Sequence, residues 1–246
     1  GRRRDAAGRA VIQGVLDTSA FGPFFQPIVD LTTGAVIGHE ALTRFSDGVP
    51  PDARFAAANR AGLAIELEVA TLRAALDAAA DCLPLSAYLS LNASPALIRS
   101  RSMHALLAGV ERSIVIEITE HVAIDDYATL RAELAALGPR VRLAVDDAGA
   151  GYASFRHILE LAPDLVKLDI GLIRGIDGDP ARQALIAGMA YFAAQRAIRL
   201  IAEGIETVAE LATLRSLGIP YGQGYLLGWP RDARGGGSWP VEIALD

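Results

Sequence analysis

The chain has 246 residues, 52% of them apolar, and carries a formal net charge of −6 with a sequence pI ≈ 5.3. That acidic balance argues against a general binder of DNA or any other phosphate backbone. Cys82 is the single cysteine, which excludes an internal disulfide and a cysteine metal site, and the longest apolar run, residues 184–194, is well short of the ~20 residues a membrane helix needs. With no secretory leader in view, the expectation is a soluble, cytoplasmic chain, or the cytoplasmic part of a longer protein, with no membrane segment.

Residues 5–17 are expected to form a short helix, and residues 1–22 as a whole an N-terminal helix and linker end ahead of one domain over 23–246. Arg2, Arg3, Arg4 and Arg9 lie in that segment and read as a solvated helix start. Residues 23–31 read as a strand with an early proline, Thr32–Gly34 as a turn, and Ala35–Phe45 as a second strand. So short a connection implies an antiparallel hairpin. After the loop Phe45–Pro51 the pattern changes to alternation. Helices are expected over 63–81, 96–108, 126–137, 154–161, 180–195 and 208–217, and strands over 88–92, 113–119, 141–145, 165–169, 199–202 and 221–227. Repeated strand–helix units favour a parallel sheet. Eight strands in a chain of this length predict a TIM-type (β/α)8 barrel, modified by an antiparallel first strand pair. An open doubly wound sheet is the alternative; it usually shows a glycine-rich phosphate loop after its first strand, and no such loop occurs here.

The polar residues fall at the strand ends. Asn92 ends one strand, and Glu117 lies near the end of the next, with Glu120 three residues on. Asp146 and Asp147 end the third, Lys167 and Asp169 the fourth, and Glu203 the fifth, with Glu206 following; Glu40 lies within the hairpin. In isolation, Asp146-Asp147 followed by Gly149 and Gly151 is equally a strand that turns. Strand C-termini of a barrel converge on one face, however, and acids gathered there repel one another unless a cation sits between them. The donors are carboxylates and one amide, which suits Mg2+ or Mn2+. Adjacent aspartates let one carboxylate bridge two ions while its neighbour binds one, an arrangement suited to phosphoester hydrolysis. Lys167 either orients an attacking water or pairs with Asp169 or a rim acid. His39, His104, His121 and His157 lack metalloprotease spacing and read as surface or packing residues.

The chain also contains Gln26-Pro-Ile-Val29, Glu40-Ala-Leu-Thr-Arg44, Asn92-Ala-Ser-Pro95, Glu117-Ile-Thr-Glu120, Asp146-Asp-Ala-Gly-Ala-Gly-Tyr152, Lys167-Leu-Asp169, Ala202-Glu-Gly-Ile-Glu-Thr207 and Gln223-Gly-Tyr225. In this order, from residue 23 to about 230, they closely resemble the motifs of the EAL domain, a family of bacterial phosphodiesterases for cyclic di-GMP. The resemblance implies metal-dependent hydrolysis of cyclic di-GMP to linear pGpG, with a catalytically silent cyclic di-GMP sensor as the alternative. It implies Glu40, Asn92, Glu117 and Asp146 around one ion, and Asp146, Asp147 and Glu203 around a second. Lys167 and Glu203 match positions that activate the water, and Glu120 matches the glutamate that holds the loop after the paired aspartates. Glu206 and Gln223 match further active-site positions. Gln26 and Arg44 match contacts to substrate guanine and phosphate, and a guanidinium independently suits a phosphate. A homodimer and fusion to a sensor or regulatory domain are implied as well. The departures, Ala148 and Ala150 where the family usually has Phe and Thr, His121 in place of a small hydroxyl residue, and Asn92-Ala for Asn-Leu, leave the metal ligands intact. They put the ordering of the 148–152 loop at issue, and with it the rate.

Overall fold

Alternating apolar stretches become alternating strands and helices in the computed structural model, which describes residues 2–119, 123–149, 153–236 and 238–245. Helix α1 (Arg2–Asp17) precedes a hairpin of β1 (Phe21–Asp30) and β2 (Val36–Phe45). Helices α2 (Pro51–Arg60) and α3 (Ala64–Cys82) lead to β3 (Tyr88–Asn92); α4 (Pro95–Ile98) and α5 (Arg101–Leu107) lead to β4 (Ile114–Thr119). Then come α6 (Tyr127–Ala136), β5 (Val141–Ala148), α7 (Ala153–Leu161), β6 (Leu165–Leu168), α8 (Ile170–Ile173), α9 (Pro180–Gln195), β7 (Arg199–Ala202), α10 (Val208–Ser216), β8 (Tyr221–Gly222) and β9 (Arg231–Asp232).

The sheet closes. Strands run in the order β2 to β8, β8 pairs with β1, and β1 pairs back with β2. Every neighbouring pair from β2 to β8 is parallel. β1 is antiparallel to both its barrel neighbours, β2 and β8. The first pair is therefore antiparallel as expected, and the reversal extends to the closing seam. The short β9 adds to β1 beside Phe24 and Phe25. No helix among the described residues is long and apolar enough to cross a membrane.

Side chains alternate along a strand, so each contributes one set to the lumen and one to the surrounding helices. The outward set, with Phe25, Leu89, Leu91, Ile116, Ile118, Val166 and Leu200, packs against helical residues such as Leu72, Leu76, Leu97, Leu130, Ile186 and Leu214. Each such side chain, fully buried, contributes roughly 1.5–3 kcal/mol of transfer free energy. The inward set forms a separate cluster: Ile28, Tyr88, Val115, Ala144, Leu165 and Ile201, joined by Ile37 and Tyr221. Gly38 stands opposite Tyr88 in register, and a Cβ there would lie 2.5 Å from the tyrosine ring. The missing side chain makes room for the ring, so the lumen floor is filled rather than open.

Three expectations change. Residues 96–108 form two short helices instead of one, because Ser100 adopts an extended backbone between them and Ser94 caps the first. The strand over 221–227 shrinks to Tyr221–Gly222, because the chain turns at Gly224, whose carbonyl accepts from the amides of Leu227 and Gly228. A Cβ on Gly224 would collide with the backbone of Ile205, so only glycine permits that turn. The alternation pattern also missed α2 and α8; α2 begins at Pro51, directly after the loop.

Candidate active site

Two residues along from the lumen floor on each strand, towards the barrel mouth, the inward positions become polar. Gln26, Glu40, Ser90, Glu117, Asp146, Lys167 and Gln223 are all buried, and Glu203 is partly so. Lys167 is 1% exposed and sits at the centre. Its Nζ lies 2.8 Å from Glu203 Oε1, 3.0 Å from Glu117 Oε2, 3.2 Å from Asp146 Oδ1 and 3.4 Å from Glu40 Oε2. The alternative partner Asp169 is committed elsewhere: its Oδ1 accepts from the Gly171 amide, 2.8 Å, and caps α8.

Adjacent residues on a regular strand point to opposite faces, so Asp146 and Asp147 could not both serve one site without a local device. The register of β5 against β6 shifts between Val145 and Ala148, placing an extra residue on β5. Asp147 takes the left-handed conformation, φ 56°, and its amide donates to Asp146 Oδ1 at 2.9 Å. A bulge of this kind re-aims a side chain, and aspartate tolerates the left-handed region better than most residues. As a result, Asp146, Asp147 and Glu203 bring carboxylate oxygens within 4.8 Å of one another, and so do Glu40, Glu117 and Asp146. Asp146 belongs to both groups. Asn92 is exposed at the rim, its Nδ2 3.4 Å from Glu40 Oε1.

The electrostatics test whether cations fit. Four carboxylates face one ammonium. Burial pulls the Lys167 pKa down, but Asp146, Glu117, Glu203 and Glu40 outweigh it and hold it well above the ordinary lysine value. Burial drives the Glu117 carboxyl well above the carboxylate range, against the pull of Lys167. Burial likewise pushes Glu203 up to about 8, opposed by Lys167 and reinforced by Asp146 and Glu40. Carboxylates in this condition take up either protons or cations. The donors are all oxygens, with no thiolate and no histidine among them, so they fit hard divalent cations such as Mg2+ or Mn2+. The buried Gln223 Oε1 has no hydrogen-bond partner among the described residues.

The remaining expected site residues divide. Gln223 Nε2 donates to Glu40 Oε2 at 2.7 Å and to Gln26 Oε1 at 2.9 Å, while Gln26 Nε2 donates to the Gly228 carbonyl at 3.0 Å. Gln26 is thus tied into a chain that steadies Glu40. Arg44 is exposed, packs over Phe24 and borders the cleft. Glu206 is exposed and ion-pairs with Arg174. Its loop is pinned by Glu210, which accepts from the amides of Gly175, Glu206 and Thr207. Glu120 and His121, with Ala150, Gly151 and Tyr152 of the loop, lie outside the described residues. Of the histidines, His39 is buried against Trp239 and His157 bonds the Tyr127 hydroxyl, 2.8 Å; both are packing residues.

Sequence reasoning missed Ser90, whose hydroxyl donates to Glu117 Oε1 at 2.5 Å. Strand period would have found it, since Ser90 is two residues before Asn92 and shares its face. It also missed Glu68, whose Oε2 accepts from the Ser94 amide, 3.0 Å, and which borders the cleft.

The space above the acids has two lobes. One, about 520 Å3, is bordered by Arg44, Glu68, Asn92, Glu117, Asp146 and Asp147. The other, about 350 Å3, is bordered by Gln26, Glu40, Glu203, Glu206, Gln223 and Tyr225, with Arg174 at its edge. A larger surface groove, about 600 Å3, bordered by α2, α3, α4 and α5, carries Glu66 as its sole charged lining residue, with Asn59 and Ser102 as polar neighbours.

The chain is similar in sequence and in fold to known proteins. The sequence model of the EAL domain matches residues 9–230. Over 230 residues the chain is 27% identical to the probable cyclic di-GMP phosphodiesterase PdeB of Escherichia coli strain K12, covering 87% of this chain and 43% of that one. Over 236 residues it is 30% identical to the cyclic di-GMP phosphodiesterase PA2567 of Pseudomonas aeruginosa, covering 89% and 40%. The chain thus spans less than half the length of these two relatives. Among solved structures, the manganese and cyclic di-GMP complex of Klebsiella pneumoniae BlrP1 at pH 9.0 matches with a TM-score of 0.75 at 30% identity, over 87% of this chain and 57% of that one.

Proposed function

The chain belongs to the EAL domain family, and from that premise we propose that it hydrolyses one phosphodiester bond of cyclic di-GMP to give linear pGpG, lowering this messenger in bacterial signalling. The observation that carries the reading is the pair of carboxylate groups joined by Asp146 at the strand ends of the barrel. Glu40, Asn92, Glu117 and Asp146 would hold one Mg2+ or Mn2+, and Asp146, Asp147 and Glu203 a second. When bound, such a pair supplies Lewis acidity for the phosphoryl oxygens and lowers the pKa of a water.

The chain's own residues do the rest. Water adds its oxygen to phosphorus, the P–O3′ bond breaks, and the 3′ oxygen leaves with a proton. Lys167 keeps its charge because four carboxylates surround it, so it orients the attacking water and offsets the negative charge that develops on the phosphoryl group. Glu203, 2.8 Å from Lys167, is the acceptor for the proton of that water. Arg44 reaches a phosphate from the larger lobe, Gln26 meets the guanine, and Gln223, bonded to both Gln26 and Glu40, steadies Glu40. Glu206 borders the smaller lobe, and Glu120 is assigned the loop-holding role. The same reading includes a homodimer, for which the exposed Phe155, Leu159 and Leu185 beside α7 and α9 offer an apolar face, regulatory domains elsewhere in the protein, and a cytoplasmic location.

The test is purified protein with cyclic di-GMP and Mg2+ or Mn2+, followed by chromatography. Linear pGpG is the expected product. Tight binding of cyclic di-GMP with no product from metal-loaded protein would replace the hydrolase by a silent sensor.

A further inference from the structure

Arg44 stands on a part of the hairpin that lies outside the parallel pairing of the barrel. β2 pairs with β3 at Gly38, His39 and Glu40. Beyond Glu40, residues Ala41–Phe45 pair with Phe25 back to Phe21 of β1, and the short β9 adds to that half of β1 at Phe24 and Phe25. Arg44 Nη1 donates to the Thr43 carbonyl at 3.0 Å, and its guanidinium lies over Phe24, 5.8 Å from the ring centroid. Thr43 and Phe24 both belong to the same ribbon, so Arg44 goes where the ribbon goes. A ribbon of this kind holds its place only when one face is packed.

That packing comes from a small core of its own. Phe21 and Phe45 of the ribbon are buried with Ile12 and Val15 of α1, Ala58 of α2 and Leu67 of α3, in a cluster distinct from the two barrel cores. Phe45 meets Phe21 edge-on at 6.3 Å and Phe55 of α2 at 6.0 Å. α2 also walls the cleft, since Pro51, Asp52 and Phe55 border the larger lobe together with Arg44. At this junction lies a buried charge that the chemistry above does not use. Arg54 of α2 is 4% exposed; its guanidinium lies 5.3 Å from the Phe45 ring centroid and is ion-paired with Asp47. Its buried Nε has no hydrogen-bond partner among the described residues, so the ion pair and the ring are what offset its desolvation. Asp47 also accepts from the Val49 amide at 3.2 Å, and the Gly48 amide donates to the Phe45 carbonyl at 3.0 Å. Arg54 therefore ties α2 to the turn directly after the ribbon.

We propose that Arg54 is a positioning residue for substrate binding: through Asp47 and Phe45 it locks the ribbon against α2 and so holds Arg44 in place over the larger lobe. Arg54 itself touches neither substrate nor metal. This role rests on the proposed contact of Arg44 with a phosphate of cyclic di-GMP, and it adds a determinant of affinity that lies behind the cleft wall and apart from the acids.

The experiment measures KM and kcat with Mg2+, Kd for cyclic di-GMP by calorimetry, and melting temperature. It uses the full chain, Arg54→Met, Arg54→Lys, Asp47→Asn, Arg44→Ala and the double variant Arg44→Ala with Asp47→Asn. Arg54→Met and Asp47→Asn are expected to raise KM and Kd by about three- to tenfold with kcat within about twofold. Arg54→Lys, which keeps the charge opposite Asp47, recovers part of that rise. Asp47 is on the surface, so its variant keeps the test open if Arg54→Met does not fold. A lock that acts through Arg44 adds nothing once Arg44 is gone, so the double variant has the KM and Kd of Arg44→Ala alone. Unchanged KM and Kd in folded Asp47→Asn, or a full additional rise in the double variant, overturns the lock while leaving the hydrolase reading in place. Wild-type protein that neither binds nor cleaves cyclic di-GMP overturns both.

Discussion

On strand after strand of the barrel, two inward positions two residues apart meet different fates. Ile28 and Gln26 occupy them on β1, Tyr88 and Ser90 on β3, Val115 and Glu117 on β4, Ala144 and Asp146 on β5, Leu165 and Lys167 on β6. The lower members form a continuous apolar cluster. The upper members form the network around Lys167. Both layers are buried on the same strands, yet the lower layer gains free energy from leaving water and the upper layer loses it, since each buried charge must recover its desolvation from neighbours. Stability and chemistry are thus separated by a single turn of the β repeat. A substitution in one layer should therefore show little of the phenotype of the other.

The most direct break of that comparison is Asp146→Ala. It removes the carboxylate common to both groups, so turnover should fall by about a thousandfold or more. The melting temperature of the metal-free protein should hold or rise, because one of four mutually repelling acids is gone. Residual activity near wild type would sink the shared-ligand assignment, and a large drop in melting temperature would sink the separation of layers. The reciprocal change is Ile28→Ala in the lower layer, where the residue is fully buried. A cavity there should cost about 2–5 kcal/mol of unfolding free energy. Its kcat, measured well below the melting transition, should stay within about twofold of wild type, and denaturant unfolding alongside steady-state kinetics reads both quantities.

Much of the upper layer was legible in the sequence because acids at successive strand ends have no structural reason to assemble. Asp146, Glu117, Glu203 and Glu40 were readable on that ground. Asp147 was readable as a ligand from its place beside Asp146, but which of the two is shared came only through the resemblance, and strand periodicity alone points Asp147 outward; the register shift and its left-handed backbone turn it in. Ser90 went unseen because a lone serine in an apolar strand carries no charge to attract notice, although its spacing from Asn92 encoded its direction. The break in 96–108 turned on the backbone of Ser100, a capping choice that helical periodicity does not register. The early end of the last strand depended on Gly224 approaching Ile205, a contact between segments that no local pattern contains.

The two faces of a single strand sharpen the same contrast at smaller amplitude. Glu40 points into the lumen and its neighbour His39 points out, 0% exposed, with neither ring nitrogen hydrogen-bonded. Burial, helped by the nearby Arg112, lowers its pKa from 6.5 to about 4. The unfolded chain then binds a proton between those values that the folded chain refuses. Stability from this group is present above pH 6.5 and is lost as pH falls towards 4, by about 3 kcal/mol over the window. Urea unfolding at a series of pH values should show this slope in the wild type and a flatter one in His39→Leu; parallel slopes would refute it.

The smallest effect comes from Ser90, an upper-layer group that is neither charged nor a metal donor. Ser90 donates to Glu117 Oε1, and Lys167 donates to Oε2 of the same carboxylate at 3.0 Å. Both oxygens are thereby held in a single orientation at full burial, which favours the ionised form that cation binding requires. Ser90→Ala removes one of the two donors without adding bulk. The neutral form of Glu117 should gain, the apparent affinity for Mg2+ should fall by about tenfold, and unfolding free energy should drop by only about 1 kcal/mol. Saturating Mg2+ should restore most of the lost rate, an outcome expected of a group that acts through Glu117 and not of one that touches the substrate. Failure of high Mg2+ to restore the rate would move Ser90 out of the ligand-holding role and make the hydroxyl part of the lumen packing below.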